Sequence, residues 1–308
     1  GSRKQIGEYL IDFGWKPNRF TPTGQPIVDE SSLAKVKKIP EAKLIAEFLL
    51  LQKRIAQIDS WITAVADDSR VHGFVIPNGT ITGRMSHRAP NMAQVPSASS
   101  EYGKECRACW IVKDGYKLLG VDASGLELRM LAHYMDNKEY TNEVTEGDIH
   151  TTNQKLAGLK SRDKAKTFIY ALCYGAGDQK LSTILGGNTK DARRIREHFL
   201  DNLPSFKRLK NRVGKAAKRG YLKGLDGRKI FIRNDYAALN SLLQGGGAIV
   251  AKFVANIHDE WQIEVREDLA DFVGQLAVGC IEKAGEYYNM RCPLTGEYKI
   301  GGNWSETH

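Results

Sequence analysis

The stretch Leu118-Leu119-Gly120-Val121-Asp122-Ala123-Ser124-Gly125-Leu126-Glu127-Leu128-Arg129 decides how this chain is read. An apolar run of strand character stops at Asp122, and Ala-Ser-Gly then leads into a helical pattern. A second aspartate is placed alike. In Phe253-Val254-Ala255-Asn256-Ile257-His258-Asp259-Glu260-Trp261-Gln262-Ile263-Glu264-Val265, two β-rich runs meet at a polar turn with Asp259 at its tip. Two carboxylates at neighbouring strand ends can hold two divalent cations roughly 3.5–4 Å apart. Oxygen-ligated Mg²⁺ prefers one or two carboxylates plus substrate phosphates to a closed protein cage. Asp122 and Asp259 therefore point to phosphoryl transfer with two Mg²⁺ ions, for which Mn²⁺ can substitute.

A triphosphate needs cations, and Arg162, Lys166, Tyr170 and Tyr174 supply a graded row of them and of rings. They recur every fourth residue, so they share one helical stripe that drifts about 40° per step. The stripe runs ~18 Å from cations to aromatic rings. A nucleoside triphosphate lying along it would set its phosphates on Arg162 and Lys166 and its base near Tyr170. A lone cation at helical spacing is ordinarily a surface residue; two cations and two tyrosines in register carry more. Gly175 and Gly177 can end the helix. His150, in Gly147-Asp148-Ile149-His150, comes twelve residues before Arg162 and offers a third phosphate contact. Glu127 follows Asp122 by five residues and falls just over one helical turn in. It could ligate metal, act as a base or occupy space beside the sugar; taken alone it reads as a solvated helix carboxylate.

The bulk numbers agree with a polyanionic partner without proving one. Of 308 residues, 45 are Lys or Arg against 36 Asp or Glu, a net charge of +9. That length implies two or three lobes, and 42% hydrophobic with 26% charged residues describes an ordinary globular protein. No apolar run approaches the ~18 residues of a membrane span, and no signal peptide opens the sequence, so a cytoplasmic setting is expected. Five cysteines, Cys106, Cys109, Cys173, Cys280 and Cys292, make an odd count that fits a reducing compartment. Cys106 and Cys109 form a lone C-x-x-C without a second half, which reads as small core residues rather than a zinc site.

Along the chain, residues 1–35 read as an irregular lead-in rich in turn chemistry. From Ile39 to about Ala66 the pattern is helical, with Leu44, Phe48, Leu51 and Ile55 on one face. Gln52, Lys53 and Arg54 lie beside that face, either as solvated side chains or as a grip on a phosphate backbone. Over residues 71–97 two strand-like runs flank Pro77-Asn78-Gly79, a hairpin signal. Arg84, Asn91 and Gln94 follow on a loop-like stretch where forked polar side chains can reach base edges or sugars in a minor groove. Residues 145–222 are mostly helical and basic. Asp226-Gly227 marks a turn ahead of Arg228, and Asn240 and Gln244 then fall one helical turn apart, followed by Gly245-Gly246-Gly247. Three glycines in a helical stretch cost stability, which implies close approach of a backbone or a ligand.

Three ordered segments carry a resemblance. Asp122-Ala-Ser-Gly-Leu-Glu127-Leu-Arg129, Arg162-x3-Lys166-x3-Tyr170-x3-Tyr174-Gly175 and His258-Asp259-Glu260 resemble motifs A, B and C of family A (Pol I-type) DNA polymerases. Thr82-Gly83-Arg84, Pro90-Asn91-Met92-Ala93-Gln94-Val95-Pro96 and Gln244-Gly245 match palm segments of that family. Gly147-Asp148-Ile149-His150 and the ending in Asn303-Trp304 look like the T-odd podophage replicative branch, polymerase half only. The resemblance covers essentially the whole chain.

It implies an α+β (mixed α/β) right-hand polymerase with an antiparallel-sheet palm, helical fingers and helical thumb. The expected divisions are a partial thumb at 1–66, palm at 67–134, fingers at 135–222 and the second palm segment at 223–308. Asp122 and Asp259 would be the catalytic metal ligands. Arg162, Lys166 and His150 would clamp the incoming phosphates, Tyr170 would meet sugar and base, and Glu127 would exclude a ribose 2′-hydroxyl. Tyr174, Arg84, Asn91, Gln94, Arg228, Asn240, Gln244 and His258 would contact the primer-template, with Gln52, Lys53 and Arg54 on its backbone. The helix bearing Arg162 would rotate to close on the correct nucleotide. The partners implied are primer-template DNA and dNTPs, with no membrane; a processivity factor is not identifiable from these residues. A phage-encoded protein of this kind would work in the host cytoplasm.

One spacing departs from the family. Only thirteen residues separate Gln244 from His258, where the family carries the rest of a helix and a connection. Either the chain has a deletion or a stretch is absent from this numbering, and the second is the expectation. No exonuclease domain is recognisable. Two rivals remain: a single-subunit RNA polymerase relative, opposed by Glu127 and Glu260, and a non-catalytic DNA-binding remnant, opposed by the joint presence of Asp122, Asp259, Arg162 and Lys166.

Overall fold

A computed structural model describes residues 2–34, 36–252 and 260–308. The chain divides into two compact units, Gly1–Gly73 and Phe74–His308.

The first unit holds three helices, α1 (Arg3–Asp12), α2 (Glu30–Leu33) and α3 (Pro40–Thr63). The helical α1 corrects the expected irregular lead-in: Ile6 and Leu10 lie four apart and turn one face onto a core with Trp15, Val28, Leu33, Ala42 and Leu49. Five polar or charged residues among its ten, Arg3, Lys4, Gln5, Glu8 and Asp12, mask that short apolar stripe in the sequence. α3 starts with Pro40 at its first position, where a missing N–H costs nothing. Its covered face is Ala42, Leu49, Leu50 and Trp61. The row Leu44, Phe48, Leu51 and Ile55 instead stays exposed, 66% at Leu44 and 58% at Ile55.

The second unit opens with β1 (Phe74–Ile76) paired antiparallel to β2 (Ser86–Arg88). Nine residues join them, so Pro77-Asn78-Gly79 is not a two-residue hairpin turn. A further turn, closed by Gly83 N–H to the Thr80 carbonyl at 3.0 Å, takes up the run expected to be the second strand. After α4 (Gly103–Ala108) comes β3 (Tyr116–Ala123), followed by α5 (Leu126–Met135). A helical block then runs through α6 (Lys138–Thr145), α7 (Ile149–Ala157), α8 (Arg162–Cys173), α9 (Asp178–Leu185), α10 (Thr189–Asn202) and α11 (Pro204–Ala217). The hairpin of β4 (Tyr221–Lys223) and β5 (Lys229–Phe231) turns at Asp226-Gly227, and α12 (Ala238–Lys252) follows. The described chain closes with β6 (Glu260–Arg266), α13 (Ala270–Tyr287) and β7 (Gly296–Gly301).

The centre is an antiparallel sheet in the order β6-β3-β7. Asp122 of β3 lies opposite Glu260 on one side and Glu297 on the other. Leu119 and Val121 are fully buried in the main core, to which α13 also contributes Ala277 and Ile281. At Gly120 an added Cβ would stand 2.3 Å from the Thr307 carbonyl oxygen, so the C-terminal residues press directly on the sheet. In α12, Gly245 lets Ile230 of β5 approach, and Gly246 and Gly247 let α5 approach. A Cβ on Gly246 would meet Met130 Sδ of α5 at 2.8 Å, which accounts for close approach at a cost of about 1 kcal/mol per helical glycine. Of the C-x-x-C pair, Cys106 is buried as expected, whereas Cys109 is exposed and donates to the Glu105 carbonyl.

Candidate active site

β3 delivers Asp122 one residue before the strand ends, and the turn at Ser124-Gly125 starts α5. Arg129 braces this junction from below. Buried in α5, it donates Nε to the Ser124 carbonyl at 2.8 Å and Nη1 to the Pro293 carbonyl. A guanidinium that ties a strand end to a distant loop holds both segments in register. Above it opens a cavity of about 350 Å³ lined by Arg84, Asp122, Ala123, Gly125, Leu126, Glu127, Tyr170 and Tyr174. Five of the expected site residues therefore share one cavity.

Two of them arrive on α8. Ser161 caps its N-terminus by accepting from Lys164 N–H at 3.3 Å. Ala165, Phe168, Ile169 and Leu172 are buried on one face, and the opposite face carries Arg162, Lys166, Tyr170 and, at the C-cap, Tyr174. The 3.6-residue period thus separates a core face from a functional stripe. Gly175 ends the helix with φ +75°, and an added Cβ would lie 1.9 Å from the Tyr236 carbonyl oxygen. Only glycine satisfies both the left-handed backbone and that contact.

At the cavity end of the stripe the Tyr174 hydroxyl donates to both Glu127 oxygens, at 2.8 and 2.6 Å. Arg84 Nη2 stands 3.6 Å from Glu127 Oε1. Burial, reinforced by the Glu127 hydrogen bond, pushes the Tyr174 phenol upward, so it stays a proton donor throughout neutral pH. Glu127 is thereby held in one orientation from two sides. Tyr170 sits between this end and the cations, its ring 6.4 Å from Tyr174 and 6.3 Å from His150.

At the other end, Asp148 caps α7 by accepting from His150 and Thr151 N–H, and Arg162 closes a two-point contact on the same carboxylate. That contact holds Asp148 well below the usual carboxylate range. Burial, then the nearby Lys166 and Arg162 charges, push His150 below its ordinary value, so it is neutral at pH 7. Its Nδ1 is buried without a hydrogen-bond partner among the described residues. The Lys166 ammonium has no hydrogen-bonded or ion-paired partner among them either, which leaves it available to an anion.

The remaining expected residues are more scattered. Asn91 precedes a 3₁₀ turn over Met92–Gln94 that carries Gln94, and Asn91 Oδ1 is enclosed without a partner among the described residues. Arg228 is bound by Asp226 at 2.6 Å within the β4–β5 turn. Asn240 and Gln244 lie one turn apart on α12. Gln52, Lys53 and Arg54 belong to α3 in the first unit. His258 and Asp259 lie outside the described residues.

The structure adds a cluster that sequence reasoning missed. Glu260, buried where β6 begins, accepts from Trp304 Nε1 at 2.9 Å and from Gln262, and contacts His308 Nδ1 at 2.8 Å. Arg107 places its guanidinium 4.6 Å over the Trp304 ring and 3.8 Å from Glu260. A buried carboxylate needs such partners, because an unpaired one costs several kcal/mol. Apart from Gln262 in the same strand, the partners are 44 to 153 positions away in the sequence, with no local signal beyond the Trp304 ending. Asp148 was also passed over as a mere neighbour of His150, though aspartate just ahead of a helical run is itself a cap signal.

Comparison with known proteins places these features in a lineage. The model of DNA polymerase family A matches residues 1–253. The chain belongs to that family. It is similar to the DNA-directed DNA polymerases of Enterobacteria phage T3 (39% identical) and Escherichia phage T7 (38%), in each case over 100% of this chain and 52% of the relative. Both alignments extend over 367 positions against 308 residues here, so some aligned positions of the relatives have no counterpart in this sequence. DNA polymerase I of Helicobacter pylori is 30% identical over 99% of this chain and 38% of its own length. The chain thus spans about half the length of the phage relatives. Among solved structures, the POL domain of Pol1 from M. smegmatis, in complex with DNA primer-template and dNTP, superposes with a TM-score of 0.88 at 24% identity. It covers 99% of this chain and 61% of that one, and the likeness shows a shared polymerase fold. Among the described residues no helix is long and apolar enough to cross a membrane.

Proposed function

We propose that this chain carries out template-directed DNA synthesis, transferring a nucleotide from a dNTP to a primer 3′-hydroxyl with release of pyrophosphate. The observation that carries the reading is a single cavity joining the Asp122 carboxylate to Glu127, Tyr170 and Tyr174, with the cations of α8 continuing the same stripe. The names of the phage relatives and the dNTP in the M. smegmatis complex support it.

The donor chemistry fits a hard divalent cation. Asp122 presents oxygen to an open cavity, and no cluster of three or more His, Cys, Asp or Glu closes into a protein cage among the described residues. Asp122, with Asp259, would hold two ions, Mg²⁺ by preference. When bound, such ions activate the attacking hydroxyl and offset the charge of the triphosphate. Arg162, Lys166 and His150 bind the phosphates, which supplies positioning and charge neutralisation, the main contributions to phosphoryl transfer. Tyr170 packs on sugar and base. Glu127, fixed by Tyr174 and Arg84, occupies the space of a 2′-hydroxyl. Arg84, Asn91, Gln94, Tyr174, Arg228, Asn240, Gln244 and His258 line the primer-template, and Gln52, Lys53 and Arg54 meet its backbone. In this reading residues 1–66 are part of a thumb, 67–134 and 223–308 the palm, and 135–222 the fingers. The work is done in the cytoplasm of a host cell.

Extension of a labelled primer on a DNA template with Mg²⁺ tests the proposal, comparing dNTPs with NTPs. Extension with dNTPs is expected. Salt-sensitive DNA binding without extension would reduce the chain to a binding module.

A further inference from the structure

One carboxylate serves both helices that present the phosphate contacts. Asp148 precedes α7 and accepts from the N–H groups of His150 (3.1 Å) and Thr151 (3.3 Å) and from the Thr151 hydroxyl (2.7 Å). The same two oxygens take Arg162 side-on, Nε at 2.7 Å and Nη2 at 2.9 Å. Arg162 is the first residue of α8, so this pair ties the start of α8 to the start of α7. A side-on guanidinium–carboxylate contact fixes the plane of the fork as well as its distance. It consumes the Nε–Nη2 edge and leaves Arg162 Nη1 with no partner among the described residues. Lys166 follows Arg162 by one turn on the same face of α8, and the charges of both disfavour a proton on His150.

We propose that Asp148 is a positioning residue for the incoming triphosphate: it holds Arg162 in one plane at the start of the stripe that Lys166 continues, with Nη1 left for the phosphate. The inference rests on the polymerase reading above. Asp148 adds a negative charge near an anion site, and two helix-start amides, a hydroxyl and the guanidinium offset that charge. A flexible arginine must be ordered each time a nucleotide binds; one already gripped avoids that entropic cost. The opposite role is equally definite. If Asp148 competed with phosphate for Arg162, removing it would tighten nucleotide binding.

Asparagine separates the two jobs of Asp148, because it caps a helix about as well as aspartate but has no charge and one acceptor, so it cannot form the two-oxygen ion pair with the guanidinium. In steady-state single-nucleotide extension by the full chain, Asp148→Asn should raise the KM for dNTP by about three- to tenfold, with kcat changed less than about twofold. Its melting temperature should stay within about 2 °C of the parent, since exposed ion pairs contribute little to stability. In the Arg162→Ala background the same change should have no further effect on KM. Asp148→Ser, which keeps a capping hydroxyl, should reproduce the Asn result. An unchanged or lowered KM in Asp148→Asn overturns the proposal. So does an equal rise with and without Arg162, which would assign the effect to capping of α7. Absence of extension by the unmutated chain would instead remove the polymerase reading, and this inference with it.

Discussion

The two ends of α8 use opposite physical means. At the start, Arg162 and Asp148 are each about half exposed, and the groups that matter are charges in contact with water. At the end, Tyr174, Glu127 and Arg84 form a partly enclosed set in which every group has a partner in the protein. Charges in water attract at range but discriminate weakly, and salt screens them within about 10 Å. Enclosed hydrogen-bonded groups act only on contact but reject a misfit strongly, because a displaced partner is left unsatisfied. The phosphate end should therefore govern how well a nucleotide is held, and the cavity end which nucleotide is accepted and whether it reacts.

That division can be broken in order of expected effect. Replacement of Asp122 by Asn should lower extension by about a thousandfold or more while primer-template binding survives, and EDTA should act on the parent in the same way. A gel-shift assay beside the extension assay checks this, and joint loss of both activities would make Asp122 a structural residue. Lys166→Ala should raise the dNTP KM by about ten- to a hundredfold, with the penalty shrinking as salt rises. An equal penalty at 50 and 300 mM salt would contradict a solvent-exposed phosphate contact. Glu127→Ala should cost discrimination between dNTP and NTP by about tenfold or more with little change in dNTP KM. Tyr174→Phe should relax it by only a fewfold, because one hydrogen bond to the carboxylate is lost. Sugar selection unmoved in Glu127→Ala would remove it from the gate.

The smallest effect expected is on pH. His150 titrates below 6.5 in the nucleotide-free protein, because burial, Lys166 and Arg162 all disfavour its proton while Asp148 only partly compensates. A bound triphosphate favours that proton, so the complex takes one up. Binding should therefore strengthen as pH falls through the window between the raised value in the complex and the depressed value in the free protein. His150→Gln should abolish this dependence in excess of the nucleotide's own titration. Stability has its own sign: the unfolded chain binds the proton more readily, so His150 makes folding less favourable as pH falls below 6.5.

Much of the cavity end and of the stripe on α8 was legible in the sequence. Asp122 followed by Ser-Gly marks a strand-to-helix junction, and four residues in fourfold spacing announce a helical face whatever surrounds them. The antiparallel β6-β3-β7 sheet was legible as a class but not in its order, which depends on pairings between residues more than a hundred positions apart. α1 was hidden because its two core contacts are outnumbered by polar residues. The span from β1 to β2 misled because the Thr80–Gly83 turn competes with strand pairing there. Asp148 was in plain view beside His150; its grip on Arg162 depends on how α7 packs against α8, which no local pattern reports. The Glu260 cluster is tertiary except for Gln262, a buried charge whose other partners come from α4 and the C-terminal residues.

Gly175 has a mechanical meaning for the comparison of the two ends. With no room for even a methyl group against Tyr236, the end of α8 would be the fulcrum of any tilt, and the helix a lever ~18 Å long. A tilt of about 10° about that point carries Arg162 through roughly 3 Å while Tyr174 hardly moves. In such a tilt the charged end would do the travelling, and the Tyr174 end would keep its place.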